Sequence, residues 1–126
     1  MFDHHGLNEK AFEFYPSLKK VRQYFETHYS APFSLTDAAK IATLEPKHFS
    51  KLFRCKTGIG FKQWTTVVRI RMAVQLIRKG DQSLTDIAFE VGFGDYSTFE
   101  RAFKNCHGLC PREFKSRLLD ELADAS

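Results

Sequence analysis

The sequence predicts an all-α fold built from two similar helical lobes. Its 126 residues are enough for one domain or two small ones. The tetrapeptide Ser-Leu-Thr-Asp at 34–37 recurs letter for letter at 83–86, forty-nine positions later. Apolar residues follow each copy at helical spacing, and glycines or prolines separate the helical runs. A duplicated two-helix unit therefore organises the chain.

The two copies share the same skeleton downstream of the tetrapeptide. Ala39 is matched by Ala88, and the second copy then gains one residue. Aromatic and glycine positions consequently recur fifty residues apart: Phe49, Phe53, Gly58 and Trp64 are matched by Phe99, Phe103, Gly108 and Phe114. Agreement over this length indicates duplication rather than chance identity.

The chain before the first copy has two parts. Residues 1–15 show no sustained periodicity and are expected to be a loose N-terminal segment. An amphipathic helix is expected over 17–29, because Leu18, Val21 and Phe25 recur at helical spacing.

Each copy reads as two helices with their own start and stop signals. Ser34 and Ser83 are followed three positions later by an acid, which predicts N-caps of short first helices. Pro46 suits the first turn of the next helix, and Asp95 can cap its counterpart. The second helices are expected to end at Gly58 and Gly108.

A helix, a short turn and a second helix form the helix-turn-helix arrangement. The chain thus divides into a first subdomain over 16–60, a connecting helix over 61–80, a second subdomain over 81–120 and an acidic tail over 121–126. The last helix of the second subdomain is expected to open at Pro111.

Basic residues are concentrated in the middle of the chain. The formal net charge is +4, and the segment between positions 44 and 79 contains nine basic residues and one acidic residue. The positive electrostatic field of such a segment favours a polyanion such as nucleic acid. From charge alone, a Lys/Arg-rich surface that only maintains solubility is an equal alternative.

The second helix of each copy has an apolar face and a polar outer face. Lys and Arg can read guanine, serine can bond several acceptors, and glutamate can accept from the cytosine amine. The candidates for base readout are Lys47, Ser50 and Lys51 in the first copy and Tyr96, Ser97, Glu100 and Arg101 in the second. A merely solvated face is the alternative interpretation. The candidates for phosphate contact are Arg54, Lys56, Lys62, Lys104, Arg112 and Lys115.

The second copy carries a run of residues with a recognisable spacing: Ile87-Ala88, Val91-Gly92-Phe93, Ser97, Phe99, Arg101, Phe103-Lys104, Gly108, Pro111 and Phe114. This run resembles the signature of the AraC/XylS family of bacterial transcription regulators. The resemblance implies two homeodomain-like helix-turn-helix subdomains joined by a long central helix, which bind successive major-groove segments of double-stranded promoter DNA. The family's base-contacting positions fall on the outer-face candidates named above.

The resemblance also implies partners and a location. It implies a bacterial cytoplasmic, nucleoid-associated regulator, more often an activator than a repressor, with RNA polymerase as a partner. Family members usually carry an effector or dimerisation domain, for which this chain has no room. It is either a stand-alone regulator or the C-terminal part of a longer protein. The rival hypothesis is a helical module that docks on the transcription machinery without specific DNA binding.

Enzymatic, cofactor and membrane functions find no support in the sequence. It contains no Gly-x-Ser-x-Gly, His-Glu-x-x-His or phosphate-loop motif, and nothing in it suggests a cofactor. Cys106, His107 and Cys110 fall short of a zinc motif and are expected to include a free thiol pair. Cys55 is expected to pack internally. No signal peptide or membrane span is evident, and an odd number of cysteines fits a reducing compartment.

Overall fold

The computed structural model describes residues 6–125, with side chains as far as Asp124. This part of the chain contains eight α-helices and no strand, so the all-α prediction is confirmed. The helices are α1 (Ala11–Phe14), α2 (Pro16–His28), α3 (Leu35–Ala42), α4 (Pro46–Thr57), α5 (Phe61–Lys79), α6 (Leu84–Glu90), α7 (Tyr96–His107) and α8 (Pro111–Ala125). The chain forms two compact units that divide within α5, after Val68. We call them the first and second lobes.

The first lobe is built around an aromatic core. Trp64 of α5 is 1% exposed, and its ring centroid lies 5.3 Å from that of Phe25 and 5.4 Å from that of Phe53. Leu18 and Val21 of α2 are also fully buried, as their helical spacing predicts. Three helices thus contribute large apolar side chains to one core.

The segment before α2 differs from the sequence expectation. The sequence predicts a loose segment over residues 1–15, yet its described part includes α1, and Ala11 and Phe12 are buried. The Phe12 ring stacks on Trp64 with centroids 5.3 Å apart. A four-residue helix is too short to show periodicity, so only its tertiary contact reveals its role. Residues 1–5 of the expected loose segment lie outside the described residues.

The helix starts follow the predicted caps. The Ser34 hydroxyl accepts a hydrogen bond from the Asp37 N–H at 3.1 Å, and the Asp37 carboxylate accepts one from the Ser34 N–H at 3.1 Å. In the second lobe the Ser83 hydroxyl accepts from the Asp86 N–H at 3.1 Å. These bonds satisfy N–H groups that the first helical turn leaves unpaired.

The turn between the two helices of each repeat has a similar backbone conformation and the same hydrogen bonding in both lobes. Thr43 and Gly92 each follow the first helix with positive φ, +57° and +104°. The next residue donates its N–H back to the first helix: Leu44 to the Ala39 carbonyl at 2.9 Å, and Phe93 to the Ala88 carbonyl at 3.0 Å. The duplication therefore extends to individual hydrogen bonds. Thr43 holds a conformation that residues with a Cβ rarely adopt.

The second lobe has a smaller aromatic core, around Phe103. The rings of Phe99 and Phe114 lie 5.8 and 5.2 Å from it, and Ile87 and Ala88 of α6 are fully buried. Helix α8 continues to Ala125, so residues 121–125 of the expected acidic tail are helical.

Among residues 6–125, none of the helices combines the length and the apolar character that a membrane-spanning helix requires.

We predict that Thr43→Gly stabilises the first lobe by about 0.5–1 kcal/mol. The left-handed conformation costs a residue with a Cβ about 1–2 kcal/mol, and the flexibility that glycine adds to the unfolded chain cancels part of that gain. Urea unfolding followed by circular dichroism measures the change. Gly92→Ala is the matched control and should destabilise the second lobe, while a less stable Thr43→Gly variant would contradict the account.

Candidate nucleic-acid interface

Helix α4 turns a basic face away from the core of the first lobe. Its N-cap is Glu45, and Gly58 ends it in the left-handed conformation at φ +88°. Phe49 and Phe53 are fully buried on one side. The opposite side carries exposed Lys47, Lys51 and Arg54, with Ser50 half-buried beside them. Positions three and four apart share a helical face, so these four side chains form one surface.

Helix α7 repeats this division in the second lobe. Phe99 and Phe103 are fully buried. The exposed side chains fifty positions after those of α4 are Ser97, Glu100, Arg101 and Lys104. In each lobe, the structure therefore places the predicted readout residues on the outer face of a single helix. The outer face of α4 is basic, and that of α7 carries both charges. We call these the α4 face and the α7 face.

Tyr96 differs from the other candidates of the α7 face because it is half-buried. Its ring lies 5.7 Å from that of Phe99. Burial raises the pKa of its hydroxyl, the charge of Glu100 acts in the same direction, and the charge of Arg112 opposes them. The hydroxyl therefore stays protonated at neutral pH and can donate a hydrogen bond.

Asp95 fixes the start of α7. Its carboxylate accepts from the Thr98 N–H at 2.7 Å and from the Thr98 hydroxyl at 3.0 Å. These bonds hold the pKa of Asp95 below its ordinary value, and the charge of Arg101 adds to the effect. The cap thus orients the first turn, which carries Ser97.

The predicted phosphate contacts differ in their exposure. Arg54, Lys62, Lys104 and Arg112 are exposed, and Lys115 is half-buried. A Cβ built at Gly60 would lie 2.9 Å from Arg54 Nη2, so the Arg54 guanidinium packs over the turn before α5.

Lys56 is placed differently from the other phosphate candidates. It is half-buried, and its Nζ lies 5.2 Å from the centroid of the Tyr15 ring. On α4 it stands about half a turn away from Lys47 and Lys51. Its position does not support the predicted phosphate contact. Sequence reasoning missed Tyr15 because the contact joins segments about forty residues apart and leaves no local pattern.

The cysteines are free thiols. Cys55 is exposed, so its expected packing role is wrong. Cys106 and Cys110 are half-buried, and burial raises the pKa of Cys106. Within residues 6–125, no group of three or more His, Cys, Asp or Glu side chains is arranged to hold a metal ion.

Comparisons with known proteins agree with the architecture. A family model described as a helix-turn-helix domain matches residues 38–117. Regulatory protein PocR of Salmonella typhimurium is 33% identical over 101 residues, which cover 80% of this chain and 33% of PocR. This chain therefore spans about a third of that relative's length.

Solved structures show the same fold. A transcriptional regulator from Chromobacterium violaceum, described as having an AraC-type DNA-binding domain, has a TM-score of 0.76 at 22% identity, covering 81% of this chain and 91% of that one. The DNA-binding domain of AdpA, a global transcriptional factor solved in complex with a target DNA, has a TM-score of 0.76 at 24% identity, covering 80% and 91%.

The acidic caps predict a pH dependence of stability. Hydrogen bonds from Ser34 lower the pKa of Asp37, as those from Thr98 lower that of Asp95. A carboxyl with a lowered folded-state pKa stabilises the fold fully above its unfolded value of about 3.9, and that stability is lost as pH falls through the folded value.

We predict that an Asp37→Asn/Asp95→Asn variant is less stable than the wild type by a constant margin above about pH 5, and that the margin narrows below about pH 4. Urea midpoints measured by circular dichroism from neutral to acidic pH test this. Asparagine retains a capping oxygen and loses only the charge. A margin that persists undiminished at about pH 2 would contradict the role of the ionised caps.

Proposed function

Because the chain belongs to the AraC/XylS family of helix-turn-helix transcription regulators, we propose that it reads double-stranded promoter DNA by inserting α4 and α7 into successive major-groove segments. The observation that carries this proposal is the matched exposure of the α4 and α7 faces, each opposite a buried pair of phenylalanines. A surface needed only for solubility would not have to repeat this arrangement in both lobes.

The chemistry of the two faces supports base readout. Lys51 and Arg101 occupy equivalent positions, and both side-chain types bind O6 and N7 of guanine. Glu100 can accept from the cytosine amine and repels phosphate, so it discourages binding to wrong sites. The proposed base-contacting residues are Lys47, Ser50, Lys51, Tyr96, Ser97, Glu100 and Arg101.

Phosphate contacts would position each helix without reading sequence. We assign this role to Arg54, Lys62, Lys104, Arg112 and Lys115. Lys56 is left out because its ammonium group lies against the Tyr15 ring. The AdpA domain, which has the same fold, was solved with a target DNA, and this supports DNA as the proposed partner.

The wider role follows from the family and is part of the same proposal. We infer a bacterial cytoplasmic regulator, more often an activator, that acts with RNA polymerase. PocR is about three times as long as the aligned part, so an effector or dimerisation domain would belong to a longer protein that contains such a chain.

The alternative function is that of a protein-interaction module. The dependence of binding affinity on salt concentration distinguishes this function from DNA binding. Contacts to several phosphates release counterions, so the affinity of a DNA-binding protein falls steeply with rising salt. An apolar protein interface responds weakly because screening acts on charges. A steep, linear fall of log affinity with log salt supports the proposed function.

We predict that Lys51→Ala and Arg101→Ala each cost about 1–3 kcal/mol of binding and relax base preference in separate blocks of the site. Competition binding against single-base variants of a site selected from random-sequence duplexes measures both effects. Arg117→Ala is the control, because it removes one positive charge that pairs with Glu113 at 3.1 Å outside both faces. If Lys51→Ala weakened binding equally on every sequence, Lys51 would be a phosphate contact and the assignment would be wrong.

A further inference from the structure

The segment before α2 contacts the C-terminal end of α4 at three consecutive residues. The Asn8 N–H donates to the Thr57 carbonyl at 2.7 Å. The Lys56 ammonium lies over the Tyr15 ring. A Cβ built at Gly58 would overlap the carbonyl oxygen of Gly6. We call residues 6–15 the N-terminal brace.

The brace is anchored in the aromatic core of the first lobe, to which α4 also contributes. Phe12 is 0% exposed and meets Phe53 of α4 edge-on, with ring centroids 5.8 Å apart. The Arg22 guanidinium lies 5.3 Å from the Phe12 ring centroid on another side. Because protein interiors are close-packed, displacement of the brace would disturb the buried side of α4.

The second lobe provides an internal comparison. Gly108 ends α7 with φ +75°, as Gly58 ends α4 with φ +88°. A Cβ built at Gly108 would meet no described atom within 4 Å. The close backbone approach at the end of α4 therefore has no equivalent at the end of α7 within the described chain. The brace also lies outside residues 38–117, which match the family model.

We propose that the N-terminal brace is a positioning element of the first recognition helix, and that it sets the affinity and base preference of the DNA block read by the α4 face. This inference rests on the proposed function. Recognition geometry tolerates errors of about 0.5 Å, and the brace fixes the one end of α4 that the base-reading residues do not occupy. The positions of Lys47, Ser50 and Lys51 on DNA depend on that fixed end.

The glycine pair allows a controlled test. Gly58→Ala and Gly108→Ala both place a Cβ in a left-handed conformation, but only Gly58→Ala pushes against Gly6. A second variant, a chain lacking residues 2–7, removes the close approach of Gly6 to Gly58 and keeps the Asn8 and Glu9 carbonyls, which accept hydrogen bonds from the Ala11 N–H and the Phe12 N–H. All measurements are made at low temperature, where circular dichroism confirms that each variant is folded.

Hydrogen exchange without DNA gives the first readout. We expect at least about tenfold faster amide exchange at the C-terminal end of α4 in Gly58→Ala and in the shortened chain, because local opening there becomes easier. Gly108→Ala adds the left-handed strain alone, so it should speed exchange at the end of α7 clearly less than Gly58→Ala speeds it at the end of α4. Unchanged exchange in α4 in both brace variants would overturn the proposal, whatever the DNA result.

Binding to the DNA site that the wild-type protein selects from random-sequence duplexes, and to single-base variants of that site, gives the second readout. We expect the brace variants to lose about tenfold in affinity and to relax base preference in the α4 block only, with the α7 block unchanged. Unchanged DNA binding, or equal loss in both blocks, would overturn the positioning role, since a folded variant with a purely structural brace would keep its preference. If the wild type selects no sequence, the proposed function fails and this role fails with it, while the exchange data still report whether the brace holds α4.

Discussion

The structure depends on a pair of buried phenylalanines, four residues apart, on the inner side of α4 and on that of α7. Full burial of such a side chain contributes about 1.5–3 kcal/mol, and its truncation to alanine costs about 3–5 kcal/mol. The pair in α4 and the pair in α7 are fully buried. They fix the rotation of each helix about its own axis, and this rotation decides which polar residues face outward. The outer faces are then free to carry charge.

The two outer faces differ in charge, and on the proposed function this difference gives them different roles in DNA binding. The α4 face carries only basic charges, whereas the α7 face places Glu100 beside Arg101. On the proposed function, a basic face contributes mainly salt-dependent affinity. An acidic side chain among basic ones weakens binding to DNA sites that offer it no hydrogen-bond donor. The first lobe would then supply more of the affinity and the second more of the discrimination.

Much of the fold could be predicted because its signals are local. The caps at Ser34 and Ser83, Pro46 in the first turn of α4 and the glycines after α4 and α7 each act within a few residues. The outward faces follow from helical period alone. The burial of Phe12 and the turn of Lys56 toward Tyr15 could not be predicted, because both depend on contacts between distant parts of the chain. The packing role expected for Cys55 is wrong for a different reason: Cys55 follows buried Phe53 by two positions, so the helical period already places it on the outward side of α4.

The most direct test of the account is selection from a library of random-sequence duplexes at moderate salt, followed by sequencing of the retained DNA. The account predicts enrichment of two separate short blocks, one for each recognition helix. Retention without enrichment would leave only electrostatic attraction to DNA and would contradict base readout by the α4 and α7 faces. Absence of retention would contradict DNA binding by this chain and favour the protein-interaction module.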